Sequence, residues 1–358
     1  MSQSLFRRRP IQLLLIAALL FVLSSAVPPA VIALLRPLDV GQSLTFSTRP
    51  NETMSLLAPI DGSQGIPAAN RDRPECQGST PLPASYACYV LTVPSRQVTA
   101  LTTSESDTAD AVQADAVIQV RFGEDVLTEM HDSVLLDARS TFPVGTPVSQ
   151  MSISVPDLAS GMASEPFVRE GLQYFFPFPT ARQSYPWFDM TAQEPLLLDY
   201  VGETEHHGVE TFEFHHRLDD RHMDRTSSRA ISMPAEVNGL LDHLADSAVG
   251  IPSYAVDRRV WVEPETGTII DIRAEYHLFF AAGEEETTHR SFAPDPAYTI
   301  YHTVSEWDDA TIAQQSAEAS SVLTTLRSLQ ILAVLGKALA LLAALWAVVL
   351  LLRERRSR

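Results

Sequence analysis

The residues with the densest chemical potential are histidines. His206, His207, His215, His216 and His222 fall within 17 residues, interleaved with Glu203, Glu205, Glu210 and Glu213. Imidazoles and carboxylates gathered by a hairpin are the donor set of a zinc site. Neighbouring residues of a strand point to opposite faces, so each adjacent pair offers one ligand per side, and His207 falls in the expected turn. Neither HExxH nor HxH occurs. The histidines therefore read as a polar strand edge, with no metal and no cofactor expected. The acidic runs Glu284-Glu285-Glu286, Asp219-Asp220 and Asp308-Asp309 lack a DxDxDG loop and read as solvated.

Covalent chemistry finds little support. No GxSxG is present, and the single lysine, Lys337, sits in an apolar run where an SxxK site is excluded. Glycine-rich phosphate loops are absent. Asp189 and Glu194 could form a carboxylate pair only at a separation that spacing alone does not supply. No catalytic residue is assigned, and an enzyme is not expected. A net charge of −18, from 44 acidic against 26 basic residues, opposes nucleic-acid binding.

Hydrophobic chemistry concentrates in one place. Tyr174, Phe175, Phe176, Phe178, Tyr185, Trp187 and Phe188 place seven aromatics in 15 residues. They are either the packed core of an extended segment or the wall of an apolar groove for a lipid or glycolipid. Pro177, Pro179 and Pro186 exclude a regular helix there. Cys76 and Cys88 are the two cysteines, and an oxidising compartment makes them a disulfide pair.

The elements that must position these residues are mainly strands. Short strand patterns run over 38–57, 87–101, 116–122 and 132–136, with a Pro/Gly/Ser-rich loop at 58–85. A short helix is expected near 165–171. Two hairpins follow: 196–205 with 209–217, turning at His207-Gly208, and 256–262 with 268–280, turning at Pro264-Glu265-Thr266-Gly267. Apolar residues at helical spacing predict a helix over 235–248. A weak echo links Val134-Leu135-Leu136-Asp137 to Val260-Trp261-Val262-Glu263. Residues 311–330 lack a helix breaker and read as a helical stalk, its apolar stripe (Ile312, Ala319, Leu326) facing the ectodomain base or a protein partner.

Both ends carry a different signal. Ile11–Leu35 is a 25-residue run without charge and Ile331–Leu352 a run of 22 with Lys337 alone. At about 1.5 Å per residue either spans a ~30 Å hydrocarbon core. Arg7–Arg9 precede the first run and Arg353, Arg355, Arg356 and Arg358 follow the second. The positive-inside rule puts both termini in the cytoplasm and 36–328 outside. A cleaved signal peptide ending at Ser24-Ser25-Ala26 is the competing reading. The apolar sequence continues through Val31-Ile32-Ala33, so the run is taken as a retained span. The expected order is cytoplasmic 1–10, transmembrane 11–35, extracytoplasmic β-rich 36–310, stalk 311–330, transmembrane 331–352 and cytoplasmic 353–358. The fold class is α+β, a mainly β ectodomain flanked by two transmembrane helices.

Several blocks in this order carry a family resemblance. Tyr174-Phe175-Phe176-Pro177-Phe178 with Ser184-Tyr185-Pro186-Trp187-Phe188-Asp189 is one. Tyr200-Val201-Gly202-Glu203 leading to Gly208-Val209-Glu210-Thr211-Phe212 is another, and Trp261-Val262-Glu263-Pro264-Glu265-Thr266-Gly267 a third. Together they resemble an actinobacterial family labelled porin PorA-like. The resemblance implies two terminal membrane helices and an extracytoplasmic domain. It also implies structural roles for Asp189, Gly202, Gly208, Trp261, Pro264, Thr266 and Gly267. Its label implies a channel. A channel barrel needs repeated strands of about 10 residues with a lipid-facing apolar band, whereas the strand signals here are short and the membrane signal is helical. The reading is thus a non-enzymatic envelope protein in the lipid bilayer. Its acidic domain would bind an apolar envelope component or a partner protein, with a pore component as the alternative.

Overall fold

The computed structural model describes residues 3–35, 38–56, 66–77, 86–154, 162–222 and 250–356. The helix expected over 235–248 lies outside them. The chain divides into two compact units, Asp39–Ala317 and a second formed by Met1–Leu38 with Glu318–Arg358.

The first unit is an antiparallel sheet curled into a half-barrel. Its strands are β1 (Ser43–Ser47), β2 (Asn51–Leu56), β3 (Val90–Glu105), β4 (Ala111–Phe122), β5 (Asp125–Asp137), β6 (Gln150–Ser154) and β7 (Met162–Ala163). After the aromatic segment come β8 (Tyr185–Asp189), β9 (Glu194–His206), β10 (Val209–His222), β11 (Ile251–Val262), β12 (Ile269–Ala281) and β13 (Thr299–Glu306). The order across the sheet is β7-β6-β5-β4-β3-β2-β13-β12-β11-β10-β9-β8, with β1 also on β3. Sequence-consecutive strands are mostly neighbours, as short antiparallel connections dictate. Among the described strands, β2 joins β13 across most of the chain, pairing Thr53–Ser55 with Tyr301–Thr303, and a Thr48–Trp307 bridge flanks that join. Buried hydroxyls reinforce it: Ser95 Oγ donates to Thr53 Oγ1 at 2.6 Å, and Thr53 Oγ1 lies 2.9 Å from Thr303 Oγ1.

The strands are longer than their local patterns suggest. β3 runs 16 residues and β10 runs 14. Their ends carry polar residues on both faces, so periodicity fades there while cross-strand hydrogen bonding continues. The short helix expected near 165–171 does not form. Phe167 is bridged to Ser149 through both backbone groups, and extended backbone wins where a neighbouring edge offers partners.

On the face here called inner, Phe212, Phe214, Val260, Val262 and Ile269 pack against Leu172, Phe176, Tyr185 and Trp187. A short helix α2 (Glu284–Arg290) and its following loop cover the opposite face near His277. Cys76 and Cys88 form a disulfide. It packs with Tyr89, Leu56 and Ile66, and closing a loop of this length is worth roughly 3 kcal/mol on a chain-entropy view.

The second unit is two helices, α1 (Gln3–Leu35) and most of α3 (Asp309–Arg356). Stalk and second apolar run are thus one helix. Asp308 starts it by accepting the Thr311 N–H at 2.8 Å. Ile312 joins the sheet core, and Gln315 donates to the Ile269 carbonyl at 3.2 Å, so the stalk's first turns are seated on the ectodomain. Only 6% and 11% of the most apolar windows of the two helices are buried. Their apolar side chains face outward, which water disfavours and a bilayer accommodates. The chain is a two-pass membrane protein with an extracytoplasmic domain between its spans. The helices meet along small residues: a Cβ on Gly336 would stand 2.7 Å from Ser24 Cβ, and Ala17, Ala340 and Ala347 are buried.

Candidate functional site

The aromatic segment is held from both ends. Its start is fixed to the first half of the sheet by a buried ion pair. Arg169 bonds Asp132 of β5 through both guanidinium nitrogens, one at 2.8 Å, and both side chains are fully buried. Tyr174 donates its hydroxyl to the same carboxylate at 2.5 Å. Burial, then the Asp132 charge, push the Tyr174 phenol well above its usual range, so it stays a donor. The Arg169 guanidinium also lies 4.4 Å over the Phe188 ring.

The middle of the segment is fixed to the β11–β12 hairpin. Thr180 N–H donates to the Pro264 carbonyl at 2.8 Å. Gly267, at φ +71, meets the Phe176 and Pro177 carbonyls where no side chain fits. Within the hairpin, Glu263 accepts from the Thr266 amide at 2.8 Å and its hydroxyl at 2.6 Å. The end of the segment is fixed by Asp189. It accepts the Thr191 and Ala192 amides on one oxygen, and Arg258 (2.7 Å) and Tyr254 (3.1 Å) on the other.

Asp189, Glu263 and Asp137 share this turn device, each accepting amides two and three residues ahead. The echo between 134–137 and 260–263 is this device at two strand ends.

Phe176, Tyr185, Trp187 and Phe188 are buried; Phe176 packs on Tyr185, Trp187 and Phe214 at ring separations of 5.2–6.0 Å, whereas Phe188 stacks on Phe167 at 5.8 Å. Tyr174, Phe175 and Phe178 are half-buried. Further along the inner face Leu196, Tyr254 and Val256 are buried, whereas Leu218, Tyr276 and Leu278 stay half-buried against them. Tyr301, opposite Leu278 on β13, is half-buried too. Sequence patterning placed Tyr276 and Leu278 in a strand without marking them, and left Leu218 and Tyr301 outside its strands. The buried arginines were equally hidden, because an arginine in a strand ordinarily reads as exposed.

The outer face is ionic. Arg259 pairs with Glu213 at 2.5 Å, Arg217 with Asp257 at 3.0 Å, Arg273 with Glu306 at 3.0 Å, and His302 with Glu275 at 3.2 Å. Glu194, set opposite Asp189 in register, pairs with Arg221 at 2.6 Å. Both members of that carboxylate pair are therefore engaged by arginine.

The histidines separate. His215 reaches Asp257 at 3.0 Å, while His216 Nδ1 lies 2.9 Å from the Leu197 carbonyl; burial lowers the His216 pKa. His206 and His207 depart from strand alternation. His207 (φ +49) and Gly208 (φ +78) form a left-handed two-residue turn, and both imidazoles face Asp271 of β12. His206 stacks flat on Trp261 at 4.1 Å. Gly202 sits at a bulge where Phe214 pairs with Tyr200 and Glu213 with Gly202.

Comparison with known proteins agrees with this architecture. The family described as Porin PorA matches residues 10–349. A Porin PorA of Corynebacterium resistens is 25% identical over a 403-residue alignment covering 96% of each chain. A Porin PorA of Corynebacterium amycolatum is 26% identical over 224 residues, covering 55% of this chain and 57% of that protein.

Proposed function

Because the chain belongs to the Porin PorA family, we propose that it is a non-enzymatic envelope protein whose half-barrel holds an apolar envelope component, a lipid or glycolipid, on its inner face. Both termini lie in the cytoplasm, on the side of the flanking arginines. The observation that carries this reading is the contrast between the two sheet faces. Arg259–Glu213, Arg217–Asp257 and Arg273–Glu306 on the outer face suit water and would be costly against acyl chains. The inner face is mainly apolar, its buried Arg258 paired with Asp189, and Leu218, Tyr276, Leu278 and Tyr301 extend it beyond the packed aromatic cluster without being fully buried. The segment from Tyr174 to Phe188 forms the rigid floor beside them.

Native mass spectrometry of the detergent-purified protein tests this. A specific envelope lipid should co-purify and be lost from Leu278→Glu, whose thermal stability is checked in parallel. Lipid content equal to that of an unrelated two-helix membrane protein sinks the proposal. The name of the relatives supports a second reading, a pore component. Planar-bilayer recordings distinguish the two: stepwise conductance from the purified protein would favour the pore, and silence the lipid holder.

A further inference from the structure

We propose that His206, His207 and Asp271 form a surface site for a borderline transition cation of the zinc type. The left-handed turn is what assembles it. In a continuous strand the two imidazoles would diverge; with His207 at φ +49, outside the strand, both present nitrogen to one carboxylate oxygen. His206 Nε2 stands 2.8 Å from Asp271 Oδ2 and His207 Nε2 stands 3.8 Å from it, and the three donor atoms all lie within 4.8 Å of one another. A tetrahedral zinc with bonds of 2.0–2.2 Å needs donors about 3.3 Å apart. That value falls between the two histidine–carboxylate distances, each of which needs to change by about half an ångström, and the two imidazole nitrogens must settle at the same spacing from a present separation within 4.8 Å.

Two further features favour a cation over a simple hydrogen-bonded cluster. Asp271 is 9% exposed, and its Oδ1 is buried with no hydrogen-bond partner. A bound dication would compensate that oxygen directly or through the shared charge. Stacking on Trp261 fixes the His206 ring plane, which is the orientation a ligand needs before the metal arrives. His207 is the exposed member, so the site opens to solvent, leaving one position for water or a donor from another molecule. The ligands are on the outer face, away from the inner apolar surface, and this inference does not rest on the lipid-holding reading.

The test uses tag-free, chelator-stripped full-length protein in detergent, titrated with Zn2+ alone at pH 7.5 against a chromophoric competitor. One saturable site is expected. His207→Gln and Asp271→Asn should each weaken it at least tenfold while leaving the circular-dichroism spectrum intact. His207 lies in an exposed turn, so its variant reports even if Asp271→Asn fails to fold. Cu2+ should quench indole emission stoichiometrically in the parent protein and much less in Trp261→Phe. No saturable Zn2+ binding, or equal binding by the folded His207→Gln variant, overturns the proposal.

Discussion

Gly267 and the carbonyl of Phe176 approach so closely that a Cβ on Gly267 would stand 2.6 Å from that oxygen. The contact locks the β11–β12 hairpin onto the aromatic segment, and the glycine's φ of +71 is itself a left-handed conformation. Gly267→Ala meets both penalties. Backbone strain of about 1–2 kcal/mol adds to overpacking of about 1–3 kcal/mol. The expected loss of stability is therefore large, read as a lowered denaturant midpoint in detergent. An unchanged midpoint would mean the hairpin and segment can separate freely.

Arg169 and Asp132 join the first half of the sheet to the same segment. Truncating one partner leaves the other charge buried and unpaired, a cost of about 3–5 kcal/mol. Asp132→Leu should therefore destabilise strongly, and Asp132→Leu with Arg169→Met should recover most of the loss. Tyr174→Phe removes one charge-assisted bond and should cost about 1.5–3 kcal/mol. A double variant as unstable as the single would show that the pair contributes more than mutual compensation.

What could be read in the sequence was whatever depends on near neighbours. The two apolar runs, the His207-Gly208 and 264–267 turns and the Cys76–Cys88 pair are local, and each has its expected form. The sheet order was hidden, because β2 meets β13 across nearly 250 residues through three paired residues and a hydroxyl cluster. The aromatic density was visible, but its anchors Arg169 and Arg258 were not. The histidine pair was half legible: His207 was expected in the turn, but that both imidazoles would face Asp271 follows from the turn's left-handed backbone angles, which spacing does not supply.

Ser24 and Gly336 test the packing of the two spans. The missing side chain at 336 lets α1 approach α3 to within contact of Ser24. Ser24→Cys with Gly336→Cys should cross-link within one chain under mild oxidation, detected in membranes after protease nicking of the ectodomain. Gly336→Leu should push the helices apart, read as a lowered thermal midpoint in detergent. Cross-links that form only between separate chains would refute the intramolecular helix pair.

His277 gives the pH dependence its sign. It is fully buried, with Nδ1 3.0 Å from the Ser291 carbonyl and Nε2 2.9 Å from Thr299 Oγ1. That pattern suits a neutral ring donating at one nitrogen and accepting at the other. Burial pushes its pKa down from 6.5 to about 4. His302 faces it edge-on at 5.4 Å, and that ring's charge would lower it further, whereas the Ser291 carbonyl works the other way. Between pH 6.5 and 4 the unfolded chain binds a proton that the folded chain refuses, so stability is lost as the pH falls through that window. Over the whole window the effect amounts to about 3 kcal/mol. His277→Gln keeps a donor and an acceptor but cannot titrate. Its thermal midpoint should fall less steeply between pH 6.5 and 4 than that of the parent protein. Parallel pH profiles would show that His277 is protonated in the folded state.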